Sequence, residues 1–155
     1  MDRVDRPQDI KYWYGGIDTA YRYTVGIAGE RFFRELRDTG KILASRCHRC
    51  NEAYVPPRLY CVKCFSELKD YEEVPDDGWY IHTYSTARNQ EGQRLQEPLI
   101  WVVAKHRHVV GGLVHRLTRA SPVDVTIGMR IRPLPKEKER RIGSILDLEG
   151  FVPSQ

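Results

Sequence analysis

Four cysteines, Cys47, Cys50, Cys61 and Cys64, carry the clearest chemistry in this chain. They form two C-x-x-C pairs, Cys47-His48-Arg49-Cys50 and Cys61-Val62-Lys63-Cys64, separated by ten residues. Each pair folds into a knuckle that aims two sulfurs at one point, and two knuckles complete a tetrahedron of thiolates. Arg46, Arg49 and Lys63 lie beside them and offset the negative charge of such a centre. The spacing predicts one bound metal ion. Four thiolates leave no coordination position open to water or substrate, so the ion is read as one structural zinc per chain. It staples a segment too small to hold itself together. Iron in the same tetrahedral sulfur site would instead make a rubredoxin-like electron carrier. Two disulfides would suit a secreted protein. The first residues, Met1 to Pro7, lack the apolar core of a signal peptide, which predicts a cytoplasmic protein and favours metal over disulfides. His48 is read as a surface residue, since the cysteines already supply four ligands.

No other cluster reaches that specificity. His82, His106, His108 and His115 fall in or near predicted strands, where they read as barrel-surface residues rather than as a metal pair or proton shuttle. Ser85 and Ser121 have no motif around them, no carboxylate pair is visible, and Gly111-Gly112 is a turn rather than a phosphate cradle. The catalytic set is therefore read as empty. Basic and aromatic residues crowd the second half. Trp79, Tyr84, Arg88, Arg94, Lys105 and Arg116 are the ligand-binding candidates. They suit the phosphates and adenine of coenzyme A, and equally a stacking platform for single-stranded nucleic acid. For most such positions a solvated barrel surface over an aromatic core is the simpler reading.

These residues need elements to hold them. Phe32, Phe33 and Leu36 share one face of a predicted helix over Ala28–Asp38, with Gly40 as its stop. Before it, Tyr21, Tyr23, Val25 and Ile27 alternate with polar residues, which predicts an extended segment, with a short helix as the alternative. Met1–Asp18 reads as an arm with scattered aromatics. A strand over Lys41–Arg46 leads into the cysteines. An acidic run, Glu67–Asp77, ends in the turn signal Pro75-Asp76-Asp77-Gly78. Five short strands follow, over Trp79–Thr86, Leu99–Lys105, Gly111–Leu117, Val123–Leu134 and Ile145–Val152, with loops at Arg88–Pro98 and Pro135–Gly143. That series predicts a small barrel. The division is then 1–40 for the arm and helix, 41–75 for the ribbon and 76–155 for the barrel.

Composition agrees with a folded domain: 41% hydrophobic, 30% charged, net charge +4. The mild basic excess permits anionic partners without requiring them. No run is apolar and long enough to span a membrane.

A ribbon joined to a small barrel is more specific than either alone. Gly40–Cys50, Tyr54-Val55-Pro56-Pro57-Arg58, Cys61–Cys64, Gly78-Trp79, Thr83–Thr86 and Ile127–Ile131 resemble the zinc-ribbon and OB-fold family of domain of unknown function 35. The upstream Phe32–Leu36 segment fits it too. The resemblance implies a mainly β fold: short N-terminal helices, a rubredoxin-like zinc ribbon and a five-stranded OB-fold barrel. It also implies a non-catalytic accessory role in lipid metabolism. Such a protein would dock on a thiolase-like or other acyl-CoA enzyme, hydratases and aldolases included, and help bind or channel acyl-CoA. Single-stranded nucleic acid is the alternative partner. The charged loop Pro135–Arg141 departs from the family pattern.

Overall fold

The computed structural model describes residues 23–90 and 93–154. The arm read over Met1–Asp18 lies outside them, as does Tyr21. Helix α1 spans Gly26–Asp38, so Ile27 is helical rather than extended. Ala28, Phe32 and Leu36 follow one another at four-residue spacing, and all three are buried. A helix this short is marginal in water, so that stripe holds it in place. The Thr39 and Gly40 amides close its end on the Glu35 and Leu36 carbonyls.

Strands β1 (Ile42–Cys47), β2 (Glu52–Val55) and β3 (Asp70–Val74) form the ribbon sheet. β1 sits between the other two, antiparallel to both. The acidic run is therefore a strand and not merely the approach to a turn. Its Val74 faces the core, and its Glu72 takes Arg46 of β1 through Nε at 2.7 Å.

Strands β4 (Trp79–Gln90), β5 (Gln93–His106), β7 (Leu113–Leu117), β8 (Arg130–Pro135) and β9 (Leu148–Pro153) close into a five-stranded barrel. Its order is β4-β5-β7-β9-β8, with β7 and β9 parallel, the strand order of an OB-fold. Several predicted boundaries change. The strand read over Val123–Leu134 is a strand only from Arg130, with turns before it. The span read as a loop over Arg88–Pro98 is mostly hairpin, because β4 and β5 keep pairing out to Gln90 and Gln93. The last predicted strand begins with a 3-10 turn over Ile145–Asp147.

The ribbon is attached to the barrel at two places. On one side the two-residue strand β6 (Val110–Gly111) leaves the barrel and pairs with β2, and the Gly112 amide donates to the Val55 carbonyl at 2.9 Å. Only glycine fits at 111: φ is +99°, and a Cβ there would lie 2.1 Å from the Val55 carbonyl oxygen. On the other side, linker carbonyls are taken up by barrel groups. Pro75 accepts from the Trp79 indole at 3.0 Å, Asp77 from His106 Nε2 at 2.7 Å and Gly78 from the Arg107 amide at 3.3 Å. One continuous core runs from Phe32 and Leu36 through Ile42, Ala44 and Val74 to Trp79, Ile81, Val102 and Phe151. The charged loop belongs to this framework: Arg141 donates to the Lys136 carbonyl at 2.7 Å and to the Arg37 carbonyl at the end of α1.

Candidate metal centre and barrel grooves

The first knuckle closes the β1–β2 hairpin, and Asn51 turns its corner at φ 54°. The second stands on the Tyr60–Glu67 bridge. There the Cys61 amide donates to the Ser66 carbonyl, the Phe65 amide donates to the Cys61 carbonyl, and Phe65 turns the corner at φ 56°. These backbone constraints bring all four sulfurs within 4.8 Å of one another, with Cys47 and Cys64 Sγ 3.6 Å apart. A tetrahedron with metal–sulfur bonds of about 2.3 Å has edges of about 3.8 Å. A disulfide needs sulfurs at about 2.05 Å, and all four cysteines are free. The donor set thus fits a metal and not cross-links.

Electrostatics point the same way. Cys50 is pushed up to about 12, chiefly by its sulfur neighbour Cys64. Cys61 is drawn down to about 6, first by the Tyr54 hydroxyl 3.2 Å away and then by backbone amides at Cys64 and Lys63. Four thiolates so close become compatible only around a shared cation. The Tyr54 hydroxyl also donates to one Glu52 carboxylate oxygen at 2.8 Å, while Lys63 takes the other. Tyr54 is buried, so it fixes the Cys61 sulfur in place while serving it. His48 points away and contacts Asp70 at 3.0 Å; it is not a ligand.

The family described as ChsH2, rubredoxin-like zinc ribbon domain, matches residues 34–70, the segment that holds all four cysteines. A crystal structure of a DUF35-family protein of unknown function from Sulfolobus solfataricus is 32% identical, with TM-score 0.63, over 70% of this chain and 78% of that one. The chain belongs to the DUF35 family. The four cysteines form its structural zinc site, one ion per chain. A second solved structure, described as the Ltp2-ChsH2(DUF35) aldolase, shares the fold: TM-score 0.65 at 19% identity, over 85% of this DUF35 chain and 98% of that one. No curated protein sequence matches.

The barrel does not gather the six ligand-binding candidates into one place. Trp79 is a core residue, 1% exposed, with its ring against Phe151 and His106 and its indole N–H used by Pro75. Tyr84 pairs across from the buried Val102, on the face opposite Arg116. Arg88 and Arg94 lie on the exposed hairpin extension, and Lys105 pairs with Tyr80 beside the linker. Trp79 edges a groove of 340 Å³ beside the linker, together with His106 and Arg130, while Arg116 lines two grooves elsewhere on the barrel. Arg116 pairs with Trp101 on the outer face. There a mostly apolar groove of 460 Å³, walled by Leu99, Trp101, Val114 and Leu146, meets a groove of 450 Å³ that carries Arg116, Lys136 and Arg140. Both contain Arg116 and Leu146. None of the three cations is in an ion pair among the described residues. Leu146 escapes a sequence reading because its exposure comes from the 3-10 turn.

Two histidines differ from the surface reading. His106 and His115 are 2% and 5% exposed, and burial lowers the pKa of both. His106 Nε2 donates to Asp77 while its Nδ1 accepts the His108 amide, so the ring is neutral and both nitrogens are used. It is a strut between linker and barrel. His82 and His108 are exposed, as expected of surface residues.

Proposed function

We propose that this chain is a non-catalytic accessory subunit that docks on a thiolase-like or other acyl-CoA enzyme and helps bind or channel acyl-CoA. The carrying observation is the two-part groove. Its apolar half suits an acyl chain, and its Arg116, Lys136 and Arg140 half suits the phosphates of coenzyme A. The closed thiolate shell supports the non-catalytic part, because such a zinc offers no site for substrate. Membership in DUF35 supports the partner. The name of the Ltp2-ChsH2(DUF35) aldolase sets a DUF35 chain beside a second protein within an enzyme, and the same arrangement is proposed here. Under this reading the organisation remains an arm and helix over 1–40, a ribbon over 41–75 and a barrel over 76–155. Trp101 reports on the test. Titration of the zinc-loaded protein with acyl-CoA should quench its fluorescence, and Arg116→Glu with Arg140→Glu should weaken binding about tenfold or more. No heat and no quenching, alone or with a co-purified enzyme, refutes the ligand part.

A further inference from the structure

The second zinc knuckle carries an apolar surface that its own fold does not use. Leu59, Tyr60, Val62 and Phe65 are 37%, 58%, 47% and 78% exposed, all within one short loop. The inner side of that loop is already filled by Cys61 and Leu68, both buried. The four side chains offer roughly 400 Å² of apolar surface, the size of a functional patch on a small protein.

Phe65 is the outlier. It sits in the left-handed region at φ 56°, where Cβ crowds the backbone and glycine or asparagine is the low-strain choice. The first knuckle makes the same corner with Asn51 at φ 54°. The chain therefore uses the comfortable residue at one corner and a large aromatic at the other. The phenyl ring returns nothing to the monomer, since most of it lies in water. Strain and exposure at a single residue point outward, to a partner. The scaffold beneath is firm: the Cys61 and Phe65 amides are bonded within the loop, and the Leu68 amide donates to the Leu59 carbonyl at 2.7 Å. A rigid aromatic on a fixed loop loses little entropy on binding.

The rim selects among occupants. Glu67 is taken by Lys69 at 3.0 Å and Glu52 by Lys63, which leaves Arg58, its guanidinium over the Tyr54 ring, and Arg49 of the first knuckle outside any ion pair among the described residues. A second copy meeting this patch about a twofold axis would set Arg58 against Arg58. It would also bury only about half of the ~800 Å² per partner of a standard interface. A different protein, with an apolar pocket for one aromatic ring and carboxylates at its edge, avoids the charge clash, and the patch then serves as the anchor of a contact that continues over other surface of the chain.

We infer that the second knuckle is an anchor for the enzyme subunit, with Phe65 as its central residue inserted into an acid-rimmed apolar pocket. This rests on the accessory-subunit reading above.

The test uses the full-length zinc-loaded chain. Phe65→Ala removes the ring and keeps a Cβ. Phe65→Gly and Phe65→Asn remove the ring and also relieve the corner. All three should retain one zinc and weaken the complex with the co-purifying acyl-CoA enzyme about tenfold or more. Only the Gly and Asn variants should melt higher, by about 3 °C. A p-benzoylphenylalanine at position 65 should cross-link to that same enzyme. Unchanged affinity in all three variants overturns the inference while leaving the accessory reading standing. Cross-linking to a second copy, or Phe65-dependent flotation with vesicles of phosphatidylcholine and phosphatidylglycerol, also overturns it. If the wild-type chain captures no acyl-CoA enzyme, the accessory reading fails and this inference falls with it.

Discussion

Gly111→Ala should cost far more than a glycine substitution of the same backbone class elsewhere, and Gly128→Ala is the control. Both glycines have positive φ, +99° and +85°. Around Gly128 a new Cβ meets nothing within 4 Å, so that variant carries conformational strain alone, about 1 kcal/mol. At Gly111 the new Cβ would lie 2.1 Å from the Val55 carbonyl, and backbone cannot step aside as a side chain can. The β2–β6 pairing must open and give up the Gly112–Val55 hydrogen bond. A lost buried hydrogen bond adds about 1–3 kcal/mol to the strain, for a total of about 2–4 kcal/mol. For a chain of 155 residues, 1 kcal/mol moves the melting temperature by about 3 °C. Thermal unfolding of the zinc-loaded proteins should therefore show Gly128→Ala about 3 °C below wild type and Gly111→Ala about 6–12 °C below. Amide exchange at Gly112 should speed up in the second variant only. Equal melting temperatures for the two variants would refute the claim that this pairing joins ribbon to barrel.

Cys61→Ser should drop bound zinc from one per chain to nearly none by metal analysis, because three sulfurs no longer fill the tetrahedron. Asp147 is buried. Burial alone would raise its pKa, but amides of Ile142, Gly143 and Ser144 outweigh that and hold it below the usual carboxylate range. Its stabilisation is thus fully present above about pH 4, its unfolded value. It is lost as pH falls through the lower folded value. Asp147→Asn should cost about 2 kcal/mol at neutral pH and flatten the acid limb of a denaturation series. His106 is shifted the same way by burial: the unfolded chain takes up its proton first, so stability is complete above about pH 6.5 and declines as pH falls toward the folded value. Urea midpoints should decline between pH 7.5 and 5, and His106→Gln should reduce that slope.

The metal site was legible because its signal is local. C-x-x-C spacing alone dictates where two sulfurs point, and the 3.6 Å approach of Cys47 to Cys64 follows from two such knuckles. Helix α1 was legible from Phe32 and Leu36, and the barrel from its alternating strands. The ligand-binding candidates were not, for a physical reason. Which face of the barrel a side chain takes depends on strand register, and bulges near His82 and Arg88 shift it. So Tyr84 and Arg116 end on opposite faces, while Trp79, aromatic and polar-tipped like a binding residue, is core. Strand β3 was missed because its residues, Asp70, Tyr71, Glu72 and Glu73, read as an acidic connector until Arg46 is seen beside them. The strain at Phe65 has no periodicity to betray it; only the position directly after the second C-x-x-C hints at a turned corner.

The double attachment of ribbon to barrel carries a mechanical consequence. A body pinned at one point swivels; pinned at two it can turn only about the line between them, and the core shared by ribbon and barrel blocks that turn. Val55 with Gly112 is one pin, and Pro75 with the Trp79 indole is the other. The tip of the second knuckle and the groove beside Trp101 therefore keep a constant separation and bearing, like the fixed jaws of a gauge. Whatever grips one end receives the other end already aimed, with no search over orientations.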